Sequence, residues 1–311
     1  MDNYASMCKR PKTAVLGATG YSGLELARLL NRHPRIDPPV LFRRSESDGA
    51  GSKSLTEGGE KQPLPGNGTV PNSSYPFSWQ ALQEQKVDLL FMATPHAVSR
   101  DLVPAALAHG MRVVDLSGAW RLKEKGHREV YGFQDSDPGT AARLDDQAVY
   151  GLPELNADLI ASADLVANPG CYATSVILAL APLLSLDLID RDRGIISDSK
   201  SGVSGAGKEP SARTHFVSVA DNFSAYSVFG HRHTGEILEQ LKLDDAELIF
   251  TPHLLPIPRG ILSTVYVHLR RKATMSEIQQ RYADSYTEEV HTHLSSVHSA
   301  GNTVFGTHQL L

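Results

Sequence analysis

The chain has 311 residues, 41% of them hydrophobic and 21% charged, with a formal net charge of −5. These are the proportions of a folded globular protein of two domains or one large one, and the charge speaks against a nucleic-acid surface. Two cysteines give no disulfide framework, the longest apolar stretch (Val176 to Leu184) is about half a membrane span, and the start Met1-Asp2-Asn3-Tyr4 opens no basic-then-apolar leader, so a soluble protein of the reducing cytoplasm is expected.

The first organised unit is an apolar, β-branched run, Thr13 to Leu16, that leads into Gly17, Gly20 and Gly23. A helical pattern follows, with Leu24, Leu26, Ala27, Leu29 and Leu30, and it stops near His33-Pro34. Strand, glycine turn and helix form the setting in which a dinucleotide phosphate binds, and the segment Gly17-Ala18-Thr19-Gly20-Tyr21-Ser22-Gly23 is the candidate cradle. A tight βα turn without a ligand is the competing reading, because glycine spacing by itself is weak.

A second strand, Pro39 to Phe42, runs into Arg43-Arg44-Ser45. Arginine at such a strand end accommodates the 2′-phosphate of NADP, whereas an acid would hold the ribose hydroxyl of NAD. Arg43 and Ser45 therefore favour NADP, with Glu46 and Asp48 close enough to keep NAD open. Residues 44–78 read as loop. Regular alternation resumes with a strand at Val87 to Ala93, a helix at Val98 to His109 and a strand at Met111 to Leu116, the rhythm of a parallel, doubly wound α/β sheet. Arg121, beyond the last of these strands, is a candidate clamp for an anionic substrate.

Composition shifts after about residue 150. Asn168-Pro169-Gly170-Cys171-Tyr172 precedes the apolar run Ser175 to Leu184, which places Cys171 at a helix start. The N–H groups and dipole there favour a thiolate, the nucleophilic form, although most free cysteines are small buried hydrophobes. A strand at Arg193 to Asp198 leads to a glycine-serine loop, Lys200 to Lys208. Gly202 to Lys208 fits G-x-x-x-x-G-K, but Glu209 stands where an NTPase needs Ser or Thr for magnesium. Backbone N–H groups of that loop could still cradle a phosphate.

His231 and His233, in Gly230-His231-Arg232-His233-Thr234-Gly235-Glu236, resemble half a metal site without a completing ligand, so no metal is expected. A general acid/base role for His231, oriented by Glu236, fits better beside one nucleophilic cysteine. Strands are expected at Glu247 to Phe250 and Ser263 to Leu269, and an amphipathic helix at Ser276 to Leu294 with His291 and His293 on its solvent side.

Five segments, in order, carry a resemblance that runs from about residue 12 to about residue 294: Gly17 to Gly23, Asn168 to Tyr172, Ser201 to Gly207, His231 to Thr234 with Glu236, and Pro256 to Gly260. Together they resemble the long-form N-acetyl-γ-glutamyl-phosphate reductases of arginine biosynthesis. The resemblance implies a Rossmann-like NADP-binding domain over residues 1–165 and an α+β catalytic and dimerisation domain of the semialdehyde dehydrogenase type over 166–311. It implies NADP(H), the acyl phosphate N-acetyl-L-glutamyl 5-phosphate as substrate, its semialdehyde as product, and a homodimer or homotetramer with no nucleic-acid or membrane partner. Cys171 would form a thioester, His231 would shuttle the proton with Glu236 holding its ring, and Arg121, Asn168, Ser201 and His233 would bind substrate. Ser201 and Gly202 would also approach the cofactor, with Thr19, Tyr21 and Ser22 beside its phosphates. Two departures stand out. Ala119 replaces an acid usual in the family, and the chain ends at Leu311 where long-form members continue through a strand and a returning helix. A truncated cofactor-binding homologue of weak or no activity, or a reductase of aminoadipyl or aspartyl phosphate, is the alternative reading.

Overall fold

A computed structural model describes residues 10–43 and 74–286, and the backbone alone of strands Thr292–Ser299 and Asn302–Gln309. Arg44, Ser45, Glu46, Asp48 and His291, named above, lie outside the described residues. The chain divides into two interleaved compact units rather than at one boundary. The first comprises Met1–Trp120, Asp135–Ala148 and Ala163–Ala167, and the second Arg121–Gln134, Val149–Ser162 and Asn168–Leu311.

The first unit is built on a parallel sheet. Its strands lie in the order Tyr75–Pro76, Val40–Arg43, Thr13–Leu16, Leu89–Met92, Arg112–Asp115, Leu165–Ala167. Side chains of successive strand residues point to opposite faces. Ala14 and Leu16 accordingly join one apolar cluster with Phe42, Met92 and Val103, while Val15 joins another with Ala27, Leu30 and Leu41. Burial on both faces is what a helix-covered parallel sheet requires. Helix Tyr21–Arg32 covers one side and helix His96–Ala108 the other.

The stretch read as loop holds structure at its end. Tyr75–Pro76 pairs with Phe42 and Arg43, and the Ser78 hydroxyl accepts the Ala81 N–H to cap helix Trp79–Glu84. Two residues of strand and six of helix are too short for a sequence period to register.

Within the same unit, Arg100 is buried between two carboxylates. Its Nε and Nη2 donate to Asp135, its Nη1 donates to Asp145 and to the Ala119 carbonyl, and its guanidinium lies 4.1 Å from the centre of the Trp120 ring.

The second unit packs two helices on a mixed sheet. Strands Ile261–Tyr266, Ile195–Gly202, Leu248–Leu255 and Ser224–Ala225 lie in that order, the middle pair parallel and the outer pairings antiparallel. Helices Cys171–Ser185 and His233–Leu241 share one core with the sheet through Val176, Ile177, Leu180, Ile237, Ile195 and Phe250. Between helix and sheet runs a chain of hydroxyls, Ser175 to Ser263 to Ser199 at 2.7 Å each and on to Ser197 at 3.2 Å.

Two expectations need correction here. Lys200 to Gly202 continue the strand, and the turn after them is a single 3-10 stretch, Val203–Ala206. The register with Leu248–Leu255 extends the pairing as far as Gly202. The last helix is described from Met275 to Tyr286, and Thr292–Ser299, which includes His293 and Leu294, is a strand antiparallel to Asn302–Gln309. Thr292, Val297, Thr303, Val304, Phe305 and Thr307 are β-branched or aromatic residues of the kind that favours a pleated backbone.

Candidate active site

Gly170 and Cys171 anchor the site. Gly170 is the N-cap of helix Cys171–Ser185, with φ −70° and ψ 143°, so Cys171 is its first residue. No side chain caps this end. The Gly170 carbonyl accepts the Thr174 N–H at 2.8 Å, which starts the helix, and the Gly170 N–H donates to Glu236 Oε2 at 2.8 Å. A Cβ on Gly170 would come 2.5 Å from His233 Nε2, so only glycine lets that ring settle against the nucleophile's turn.

Glu236 is completely buried on helix His233–Leu241. Arg121 Nη1 donates to its Oε1 at 3.0 Å, and the Tyr150 hydroxyl donates to its Oε2 at 2.9 Å. His233 Nε2 lies 3.9 Å from Oε1. Burial works against a charge here, yet Arg121, His233 and the bonds from Gly170 and Tyr150 hold the carboxyl below its ordinary pKa. The Tyr150 phenol is pushed well up, first by burial and then by Glu236, so it remains a proton donor to that carboxylate.

This network corrects two expectations. Glu236 does not orient His231. His231 Nδ1 instead accepts the His233 backbone N–H at 3.1 Å, and its ring is walled by Tyr172, Tyr226 and Phe250, with centroids 5.4–5.5 Å away. The reason is helical geometry: residues three apart share a face, and that relation joins His233, not His231, to Glu236. Arg121, the candidate substrate clamp, is 7% exposed and already paired with Glu236.

Cys171 is solvent-accessible and opens on a cavity of about 550 Å³ that Ser201, Arg213, Tyr226, His231 and His233 also line. Its thiol pKa is raised, not lowered as the helix start alone implied. Desolvation by the surrounding protein outweighs the local backbone N–H groups and Arg121. His233 is lowered to about 4 and His231 to about 3, both first by burial. Both imidazoles are therefore neutral at physiological pH. Among the described residues, His233 Nδ1 is buried without a hydrogen-bond partner.

The other expected residues are spread more widely. The Ser201 hydroxyl donates to the Gly202 carbonyl, and Gly202 packs so tightly that a Cβ would meet Arg259 N and Ile257 O at 2.8 Å. Asn168 is half-buried, with its amide donating to the Pro169 carbonyl. Tyr150, Tyr226 and Arg213 escaped the sequence reading. Tyr150 sits in a two-residue strand with no motif around it, and the tyrosine and arginine belong to segments without periodicity. Among the described residues, no group of three or more His, Cys, Asp or Glu side chains is placed to hold a metal, and no helix is long and apolar enough to cross a membrane.

In the first unit, Gly17 has φ +88°, and a Cβ there would lie 2.3 Å from the Ala93 carbonyl oxygen. A Cβ on Gly23 would lie 2.2 Å from the Gly17 carbonyl oxygen. Helix Tyr21–Arg32 starts from Gly20 with no side-chain cap, so its first-turn N–H groups face outward as an anion site. The residues present thus suit a dinucleotide pyrophosphate. Arg43 closes strand Val40–Arg43, half-buried.

A nucleotide cradle on one unit and a thiol, an imidazole and a carboxylate on the other define a thiol-dependent dehydrogenase. Two family profiles agree: the NAD binding domain of semialdehyde dehydrogenases matches residues 12–163, and their dimerisation domain matches 171–310. Among curated proteins, the N-acetyl-gamma-glutamyl-phosphate reductase of Desulforudis audaxviator is 42% identical over 292 residues, covering 89% of this chain and 78% of the relative. The reductase of the same name from Dehalococcoides mccartyi is 41% identical over 286 residues, covering 90% and 78%. The chain belongs to the N-acetyl-γ-glutamyl-phosphate reductases, within the semialdehyde dehydrogenase family. Its fold is shared with solved structures. A probable aspartate-semialdehyde dehydrogenase from Pseudomonas aeruginosa matches with TM-score 0.63 at 20% identity, over 97% of this chain and 93% of that one. Aspartate semialdehyde dehydrogenase II of Vibrio cholerae matches with TM-score 0.59 at 18% identity, over 88% and 79%.

Proposed function

We propose that the protein reduces N-acetyl-L-glutamyl 5-phosphate to N-acetyl-L-glutamate 5-semialdehyde through a thioester on Cys171, with NADPH as its preferred cofactor. The observation that carries this reading is Cys171 at an uncapped helix start, on a cavity shared with His233, whose ring faces the Glu236 carboxylate.

His233 accepts the Cys171 proton, and the Glu236 charge stabilises the imidazolium that forms. The thiolate adds to the acyl carbon, phosphate leaves with its oxygen, and the acyl group stays on sulfur. The cofactor supplies the hydride that converts the thioester to the aldehyde. The Gly170–Tyr172 turn orients sulfur, and first-turn N–H groups of its helix help carry negative charge on the acyl oxygen. Gly17, Gly20 and Gly23, with Thr19, Tyr21 and Ser22, would hold the pyrophosphate, and Arg43 at its strand end supports NADP over NAD.

Self-association is part of the reading. The outward face of the catalytic sheet carries Tyr266, Ile196 and Ile249 in one cross-strand row and Leu262 in another, each 43–64% exposed. Such a patch suits a second copy of the chain.

Phosphate-dependent reduction of NADP by N-acetylglutamate semialdehyde tests the whole assignment. Wild type should turn over, and Cys171→Ser should lose essentially all activity while binding NADPH within a few-fold. Full activity in that variant would sink the covalent route, and turnover of aspartate semialdehyde instead would move the substrate.

A further inference from the structure

The two histidines of the site differ in what their ring atoms are already doing. A neutral imidazole has one donor nitrogen and one acceptor nitrogen. In His231 the acceptor is spoken for, because Nδ1 takes the His233 backbone N–H at 3.1 Å. The proton must then sit on Nε2. The ring has little freedom to turn this around. Tyr172 meets it at 90° and Phe250 at 79°, and the His233 ring is 4.7 Å away at 82°. Among the described residues no carboxylate forms an ion pair with it as Glu236 does with His233, and burial, His233 and Arg232 together outweigh the distant pull of Glu236 towards an imidazolium. His231 nevertheless lines the same cavity as Cys171.

We propose that His231 is a fixed-tautomer hydrogen-bond donor whose Nε2–H binds the acyl oxygen of the substrate, and that it never carries the proton of the reaction. The proposal rests on the thioester reading above. As the Cys171 Sγ–carbon bond forms, the carbonyl π pair moves to oxygen, and Nε2–H holds that oxyanion without giving up its hydrogen. Collapse restores the carbonyl and breaks the carbon–oxygen bond to phosphate. The same N–H is in place when hydride adds to the thioester carbon and the sulfur leaves. A neutral donor suits both steps, because it stabilises the oxyanion without protonating it. The depressed pKa of about 3 agrees with this role, since the ring stays uncharged throughout the working range.

The experiment compares His231→Gln and His231→Leu with wild type, in steady-state reduction of N-acetylglutamyl phosphate from pH 5.5 to 9. Glutamine can place an amide N–H near the former Nε2, whereas leucine cannot. The expected result is a kcat loss on the order of 10²–10³ for His231→Leu with KM within a few-fold, the size of effect seen when one oxyanion donor is removed. His231→Gln should recover at least tenfold of that loss, and the pH profile of kcat should keep its shape in both. Equal loss in the two variants, or disappearance of an ionisation from either profile, would overturn the donor role. Should His231→Leu fold poorly by thermal melt, His231→Phe gives the same donor-free comparison. Wild type that releases no phosphate from the acyl phosphate would instead defeat the thioester reading itself.

Discussion

Each unit buries one arginine against carboxylate, and the two centres do different work. Arg100 in the nucleotide unit satisfies itself fully: two aspartates, one carbonyl and the face of Trp120 surround it, all of them in the same unit. Arg121 in the catalytic unit is matched to the single carboxylate of Glu236, whose remaining valences go to the Gly170 N–H, the Tyr150 hydroxyl and the edge of His233. The same chemistry therefore serves as a staple in one place and as a support for catalysis in the other. What separates them is where the carboxylate's other partners lie.

The sharpest way to break this comparison is Glu236→Gln. It strands the Arg121 charge in the core, which destabilises by about 3–5 kcal/mol, and it removes the partner of the His233 imidazolium. Turnover should fall on the order of 10²–10³, within the roughly 10²–10⁴ that a general base such as His233 contributes. An active, stable Glu236→Gln enzyme would show that the network is only structural. Arg100→Met should lose stability on the same scale, about 3–5 kcal/mol, because the buried Asp145 carboxylate loses the guanidinium charge that faces it. Well below the melting temperature its kcat should match wild type, so a comparable loss of kcat would erase the distinction between the centres.

Acid sharpens the contrast in another way. The histidine pKa values fall from an ordinary 6.5 to about 4 for His233 and about 3 for His231 in the folded chain. Between those values and 6.5 the unfolded chain binds protons that the folded chain refuses, so stability drops as pH falls through this window. Urea midpoints measured from pH 8 to pH 4 should decline, and His233→Asn should flatten the decline. The smallest effect is expected from Tyr150→Phe. It removes one hydrogen bond to a charged group, about 1.5–3 kcal/mol of stability, and should lower kcat by roughly tenfold while Gly170 and Arg121 still hold Glu236. A loss in Tyr150→Phe as large as that in Glu236→Gln would mean that the phenol itself meets the substrate.

Local chemistry was legible in the sequence. Gly17 and Gly23 are required by collisions that a Cβ would make with backbone a few residues or one strand away, and Cys171 heads its helix because Gly170 caps it. What could not be read was which side chains meet across the fold. His231 and His233 look alike in sequence, and only the start of the helix at His233 decides which of them shares a face with Glu236. Arg121 read as a clamp for an anionic substrate, and its sequence neighbourhood held no sign of the carboxylate far along the chain that pairs with it. Tyr150 had no local signature, because its role depends wholly on a partner 86 residues away. The thiol's raised pKa is likewise a property of packing, and a helix dipole inferred from sequence carries no information about desolvation.

The interleaving of the units has a consequence for synthesis. Arg100 meets its aspartates 35 and 45 residues later, whereas Arg121 waits 115 residues for Glu236. At ribosomal rates of about 5–20 residues per second, the second wait is roughly 6–23 s. During it, Arg121 and Tyr150 have been made but have no carboxylate to close around. The ion pair under the nucleophile thus forms after the staple of the other unit, and the catalytic turn takes its final shape only once helix His233–Leu241 has emerged. A nascent chain stalled before residue 236 carries its cysteine without the machinery that would put it to use.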